Sequence, residues 1–159
     1  MEVTDMFSIN CASEADTVRV GKLLAGLLQD GDVVLLDGDL GTGKTTLVIA
    51  AATALGADPK EVTSPTFSLM NLYHGRGIEI KHFDLYRINW PEELEDIGFS
   101  EYAGHDGITF IEWAELFMEY MPEESLEIRL ERDGDGRRLT FVPHGAHYEE
   151  LCRKVQEKC

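Results

Sequence analysis

The chain has 159 residues, 43% of them hydrophobic, and carries 30 acidic against 14 basic side chains for a formal charge of −16. A length of this order buries one sizeable core, so a single domain over 1–159 is expected. The acidic balance argues against an intrinsic nucleic-acid surface, which needs clustered Lys and Arg. Cys11, Cys152 and Cys159 form no C-x-x-C pair, and no apolar run approaches the roughly 18 residues of a membrane span. A soluble chain in a reducing, cytoplasmic setting follows, with neither disulfide framework nor zinc site.

At the N-terminus, Val3, Phe7 and Ile9 alternate within Met1 to Ile9 and predict a short edge strand. Ser13-Glu14-Ala15-Asp16 fits the S/T-x-x-D/E capping pattern, and Ala15, Val18, Leu24, Leu27 and Leu28 recur near helical spacing. A first helix is expected from Glu14 to Leu28. After the turn Gln29-Asp30-Gly31-Asp32, the apolar run Val33-Val34-Leu35-Leu36-Asp37 predicts a strand.

That strand runs straight into Gly38-Asp39-Leu40-Gly41-Thr42-Gly43-Lys44-Thr45, the G-x-x-x-x-G-K-S/T spacing of a phosphate loop. Glycines at these positions let successive backbone N–H groups converge on phosphate oxygens. Lys44 reaches the β- and γ-phosphates and the Thr45 hydroxyl ligates Mg²⁺. The Ala/Leu-rich segment from Thr46 to Leu55 supplies the helix whose positive dipole end faces the anion. With Gly at about 7% of average usage, the fixed positions fall into register by chance in under about one per cent of chains this long. The second helix should end at Gly56, where a left-handed cap suits glycine and Asp58-Pro59 prevents continuation.

Thr63-Ser64-Pro65-Thr66-Phe67 is a polar, proline-restrained loop, either an ordinary turn or a hydroxyl-bearing loop near the γ-phosphate. Phe67 to Tyr73 and Ile78 to Asp84 flank His74-Gly75-Arg76-Gly77 and predict a β-hairpin. Asp84, at a strand end, is positioned to approach the magnesium shell; a surface pair with Arg87 is the alternative. His82 reads as a structural neighbour of the site, and His74, His105, His144 and His147 lack metal-ligand spacing. A short acidic helix follows Trp90-Pro91.

Ile108-Thr109-Phe110-Ile111-Glu112 predicts a strand buried on both faces that delivers a carboxylate to the metal or its water, a part not given to Glu115; a charged residue at the strand exit is the alternative. Ser125 to Glu131 and Arg137 to Val142 form a second hairpin around residues 132–136, with Arg137 or Arg138 near nucleotide or both facing solvent. Ala146 to Cys159 reads as a helix with Tyr148, Leu151, Cys152 and Val155 on one face. The expected fold is α/β, a P-loop NTPase three-layer sandwich whose mixed, mostly parallel sheet is flanked by helices and extended by β-hairpins. The nucleotide-binding set comprises Ser13, Asp39, Leu40, Gly41, Thr42, Gly43, Lys44, Thr45, Thr46 and Arg137.

In combination the chain resembles the bacterial TsaE family, formerly YjeE, P-loop ATPases of the machinery that makes threonylcarbamoyladenosine in tRNA. Gly38 to Thr46 is similar to the family's G-D-L-G-A-G-K-T-T loop, Ser64 to Phe67 to its S-P-T-F/Y element, His82 to Arg87 to its H-x-D-x-Y-R segment, and Glu112-Trp113 to its E-W pair. The resemblance implies Lys44 for phosphates, Thr45 and Glu112 for magnesium, Asp84 as an acid needed for activity, and Thr66 in a switch-like loop. It also implies ATP and Mg²⁺ as cofactors and TsaD and TsaB as partners, with tRNA met only through them and no membrane involved. Thr42 departs from the family's frequent alanine and Ala114 from the proline that commonly follows the tryptophan. Two other readings stay open. A small-molecule kinase would usually carry a basic lid, where Pro91 to Glu124 is acidic, and a regulatory module would bind nucleotide without hydrolysis.

Overall fold

The computed structural model describes residues 6–62 and 69–159. In chain order the elements are β1 (Phe7–Cys11), α1 (Glu14–Ala25), β2 (Val33–Asp37), α2 (Lys44–Ala54), β3 (Met70–His74), β4 (Glu79–Asp84), α3 (Glu92–Asp96), α4 (Phe99–Tyr102) and β5 (Ile108–Glu112). There follow 3₁₀ turns over Ala114–Tyr120, then β6 (Ser125–Asp133), β7 (Gly136–His144) and α5 (Ala146–Lys158). Among the described residues, seven strands form one sheet in the order β1-β7-β6-β2-β5-β4-β3. The central four, β6-β2-β5-β4, run parallel, while β1, β7 and β3 pair antiparallel at the flanks. The expected β-hairpins are thus the β3–β4 and β6–β7 pairs.

Every residue of β2 and of β5 is buried, which is what helices on both faces demand of central strands. Because side chains alternate along a strand, Val34 and Leu36 join the core under α1, α2 and α5, whereas Val33 and Leu35 join the core under α3, α4 and the 3₁₀ turns. This is the three-layer sandwich. Fully buried side chains such as Leu36, Phe110 and Ile128 each contribute about 1.5–3 kcal/mol of burial free energy. Parallel strands end together, so the carboxyl ends of β2, β5 and β4 open on one edge of the sheet, where ligands bind in such folds. No helix among the described residues is long and apolar enough to cross a membrane.

Several boundaries differ from the sequence reading. The first helix stops at Ala25 rather than Leu28, because Gly26 caps it and the chain continues in single turns, with the Leu27 and Leu28 N–H groups both donating to the Leu24 carbonyl at 2.9 Å. Its inner face is also rotated from the expected one: Ala15 is exposed, and Thr17, Val20, Gly21 and Leu24 are buried. Gly21 is the reason. A Cβ there would stand 2.7 Å from Ala50 Cβ and 2.9 Å from the Leu47 carbonyl, so only glycine lets α1 approach α2 this closely. The capping pattern is half realised. Ser13 occupies the N-cap without a side-chain bond, and the Asp16 carboxylate accepts instead from the Ala12 N–H at 2.9 Å.

The second helix ends as expected. Gly56 is left-handed (φ +105°), and the bonds Gly56 N–H to Thr53 and Ala57 N–H to Ala52 complete a Schellman cap. The first hairpin strand begins at Met70, and the expected residues Phe67 and Ser68 lie outside the described residues, as does Val3 of the edge strand. The second hairpin is longer than expected, since Asp133 pairs with Gly136 and leaves a two-residue turn, Gly134-Asp135.

Candidate active site

Three sequence-local features converge at the open edge. The loop after β2 turns on glycines: Gly38, Gly41 and Gly43 have φ of +146°, +79° and +103°. At Gly38 a Cβ would also strike the Leu130 carbonyl of β6, so the position is closed to any side chain. Gly43 delivers the chain into α2, whose first residue is Lys44. The loop is fastened by its own side chains and by the β6–β7 hairpin. Thr42 donates to the Asp39 carbonyl at 2.8 Å, Arg132 to the Leu40 carbonyl at 2.6 Å and Arg137 to the Gly41 carbonyl at 3.1 Å. Thr42, the departure from the family's alanine, therefore adds a tether without removing a donor.

Lys44 is only 5% exposed. Its ammonium donates to the Gly38 and Asp39 carbonyls and lies 3.6 Å from the centroid of the Trp113 ring, a cation–π contact. Burial lowers its pKa, against the pull of Glu115, Glu112, Asp84 and Asp39. Trp113 is held there by a left-handed backbone (φ +63°) and by packing against Tyr86, centroids 4.7 Å apart with the rings tilted by 42°.

The acids come from strand ends. In register, Asp84 of β4 pairs with Glu112 of β5, and Leu36 of β2 pairs with Glu112 on its other side. With alternation of two, His82, Asp84, Phe110 and Glu112 all face α2. The hydroxyl of Thr45, the second residue of that helix, donates to Glu112 Oε1 at 2.9 Å and Oε2 at 3.1 Å. His82 Nε2 lies 2.5 Å from Glu112 Oε2. Asp84 Oδ1 accepts the Tyr86 N–H at 3.0 Å, yet burial first, and then the charge on Glu112, raises its pKa.

These groups line one cleft of about 370 Å³, whose walls are Ser13, Glu14, Thr17, Leu40 to Thr46, Asp84, Glu112, Trp113, Asp135, Gly136 and Arg137. Ser13, free of capping duty, faces into it. Asp39 does not line it; its carbonyl accepts from Lys44 and its charge acts on that ammonium. Thr66, expected in a switch-like loop, lies outside the described residues, as does the whole Ser64 to Phe67 element. The donor set offered to a cation is a hydroxyl and two facing carboxylates, hard oxygens that suit Mg²⁺. Among the described residues no three His, Cys, Asp or Glu side chains are placed to hold a metal by themselves.

Sequence reasoning missed four contributors. Glu115, given no part, accepts the Gly38 N–H at 2.9 Å and so anchors the first glycine of the loop. Arg132, Trp113 as a cover for Lys44, and His82 as a direct partner of Glu112 were also unassigned. For His82 a signal existed: it stands two residues before Asp84 and so shares its face.

The comparisons with known proteins bear on the family and the fold. The sequence model of the family "Threonylcarbamoyl adenosine biosynthesis protein TsaE" matches residues 11–140. The chain is similar to the tRNA threonylcarbamoyladenosine biosynthesis protein TsaE of Bacillus subtilis, 40% identical over 141 residues that cover 88% of this chain and 87% of the relative. It is likewise 40% identical over 136 residues to the protein of that name in Treponema pallidum, covering 84% and 99%. The crystal structure of Bacillus subtilis YdiB superimposes with a TM-score of 0.80 at 32% identity, over 96% of this chain and 95% of that one. The chain belongs to the TsaE family of threonylcarbamoyladenosine biosynthesis proteins.

Proposed function

We propose that the protein binds Mg-ATP in this cleft and hydrolyses it as a cytoplasmic accessory of the tRNA threonylcarbamoyladenosine machinery, sustaining the turnover of TsaD and TsaB. The observation that carries the reading is the contact of the Thr45 hydroxyl with the Glu112 carboxylate in the same cleft as Lys44. Lys44 exchanges its loop carbonyls for β- and γ-phosphate oxygens, and the backbone N–H groups of Gly41 to Thr46 cradle the rest of the chain of phosphates. Bound Mg²⁺, held by Thr45 and Glu112, supplies charge neutralisation on those phosphates. Asp84, its pKa raised by burial and by Glu112, is within the same wall and orients or accepts a proton from the attacking water. Ser13 and Arg137 border the far end of the cleft and receive the nucleoside.

A charge of −16 supports contact with tRNA through partner proteins rather than directly. The acidic segment from Pro91 to Glu101 and the Ser64 to Phe67 loop are the surfaces we assign to those partners, with binding that depends on nucleotide state.

The test is calorimetric titration of Mg-ATP into wild type and Lys44→Ala, beside ATP turnover with and without TsaD and TsaB. Charge-assisted bonds contribute about 1.5–3 kcal/mol each, so Lys44→Ala should weaken ATP roughly tenfold to a hundredfold. Unchanged affinity sinks the assignment of the cleft. Binding without turnover, even with both partners, supports instead the module that does not hydrolyse.

A further inference from the structure

His82 has no exposed surface, and both of its ring nitrogens are engaged. Nε2 lies 2.5 Å from Glu112 Oε2 and Nδ1 lies 3.1 Å from the Tyr73 hydroxyl, to which the Asn71 amide donates at 3.3 Å. Sheet register creates this line. Asn71 of β3 pairs with His82 of β4, which pairs in turn with Phe110 of β5. Tyr73 and Glu112 each stand two residues further along their own strands, on the face that packs under α2, so the polar chain crosses three adjacent strands diagonally.

The direction of the chain follows from chemistry. An ionised carboxylate only accepts, so Nε2 carries the hydrogen. With a single ring hydrogen, on Nε2, Nδ1 accepts, the Tyr73 hydroxyl donates to it, and the phenolic oxygen is left to accept from Asn71. Every donor points toward Glu112.

That arrangement answers a difficulty in the site. The Thr45 hydroxyl already donates to both oxygens of Glu112, so without a second hold the carboxylate would close onto Thr45 and the two metal ligands would satisfy each other. The His82 N–H holds Oε2 from the neighbouring strand β4. We propose that His82 and Tyr73 are positioning residues that fix the Glu112 carboxylate for the metal, and that they couple β3, the edge strand of the sheet, to that ligand. The proposal rests on the reading of Glu112 as a magnesium ligand.

The test compares wild type with Tyr73→Phe, His82→Leu and His82→Gln by titrating ATP in EDTA and in Mg²⁺, with a thermal melt of each apo protein. Groups that orient metal ligands contribute about tenfold to a hundredfold in metal affinity or activity. The factor by which Mg²⁺ tightens ATP should therefore fall about tenfold in His82→Leu and less in Tyr73→Phe, while affinity in EDTA stays at the wild-type value. A glutamine side-chain amide can donate where Nε2 did, so His82→Gln should recover much of the loss. Two-bond proton–nitrogen spectra of the apo wild type add a readout that needs no variant to fold: Nε2 protonated and Nδ1 unprotonated is the expected tautomer. A wild-type magnesium response in folded Tyr73→Phe and His82→Leu, or a proton on Nδ1, overturns the proposal while leaving the nucleotide site intact. No magnesium response in wild type removes the metal reading itself, and the proposal with it.

Discussion

Two buried carboxylate clusters lie beneath the phosphate loop, one on each face of the sheet, and they keep their acids underground by opposite means. On the α2 face, Glu112 is 2% exposed and takes hydrogen bonds from Thr45 and His82, with the cleft beside it. On the other face, Asp37 at the end of β2 is 7% exposed and packs against Glu127 of β6. Burial first, then Glu127 and Glu115, push Asp37 up to about 9, which favours its protonated form at neutral pH beside Glu127, while its Oδ1 is buried with no other hydrogen-bond partner among the described residues. Burial also presses on Glu127, but the bonds from Asp37, Arg129 at 2.8 Å and His144 at 2.8 Å outweigh it and leave Glu127 ionised, down to about 2. One cluster presents its charge to a cavity through outside donors. The other keeps its acids together by a raised Asp37 beside a lowered Glu127, away from the cleft. Burial of an acid beside a phosphate loop is therefore no mark of catalysis; what distinguishes Glu112 is where its donors leave it facing.

The comparison breaks most visibly at Glu112. Glu112→Gln keeps the volume and can still bond Thr45, but it loses the charge that, on the proposed function, holds a cation and supports water activation. ATP turnover with the partners present should fall by roughly a hundredfold or more while ATP affinity in EDTA is kept. Turnover at the wild-type rate would move the role to Asp84 or Glu115.

A smaller effect, and one of different kind, is expected from Asp37→Asn. The folded state holds the Asp37 proton up to about 9, whereas an unfolded Asp releases it near its ordinary value of 3.8. Between those values the native state binds more protons than the unfolded chain, so stability falls as pH rises, by up to about 1.4 kcal/mol per pH unit. Glu127 has the reverse sign: its depressed pKa gives stability that is present above 4.5 and lost as pH falls toward 2. The pair thus favours the fold most near pH 4. An asparagine donates to Glu127 at every pH, so Asp37→Asn should flatten the alkaline decline in urea melts between pH 6 and 9 and leave Mg-ATP affinity unchanged. An alkaline slope equal to wild type would show that the Asp37 proton is not there.

The same contrast explains what could be read before the fold was known. Lys44, Thr45 and Gly38 to Gly43 are legible because a phosphate loop is a local object: its spacing contains its geometry. Glu112 and Asp84 are legible because a strand's last residue lies at the ligand edge of a parallel sheet whatever the register. Glu115, Arg132 and Tyr73 are not, since each acts across elements far apart in sequence, and only register or a kinked turn brings them in. The face of α1 misled for a related reason. Hydrophobic periodicity scores Ala15 as inner and Gly21 as nothing, yet contact with Ala50 makes Gly21 the packing residue. Asp37 read simply as the end of the strand, and its proton is a property of Glu127, 90 residues away in the chain but adjacent across the β2–β6 pair.

The smallest expected effect sharpens the comparison through its two histidines. Each cluster has one donating to its carboxylate, His82 to Glu112 and His144 to Glu127, but the His144 side chain is 35% exposed and that of His82 is not exposed at all. Removing a donor that water can replace costs only the net value of one hydrogen bond, about 0.5–1.5 kcal/mol, with the low end appropriate to a half-exposed site. Arg129 still holds Glu127 from the strand, and Asp37 still donates to it. His144→Leu should therefore lower the urea midpoint slightly at neutral pH and leave both the magnesium response and ATP turnover at wild-type values. The equivalent change at His82 is expected to do the converse, moving the magnesium response about tenfold. If His144→Leu altered nucleotide binding, the sealed cluster would be part of the site after all, acting on the loop through Asp37 and Gly38, and the separation of the two faces would have to be abandoned.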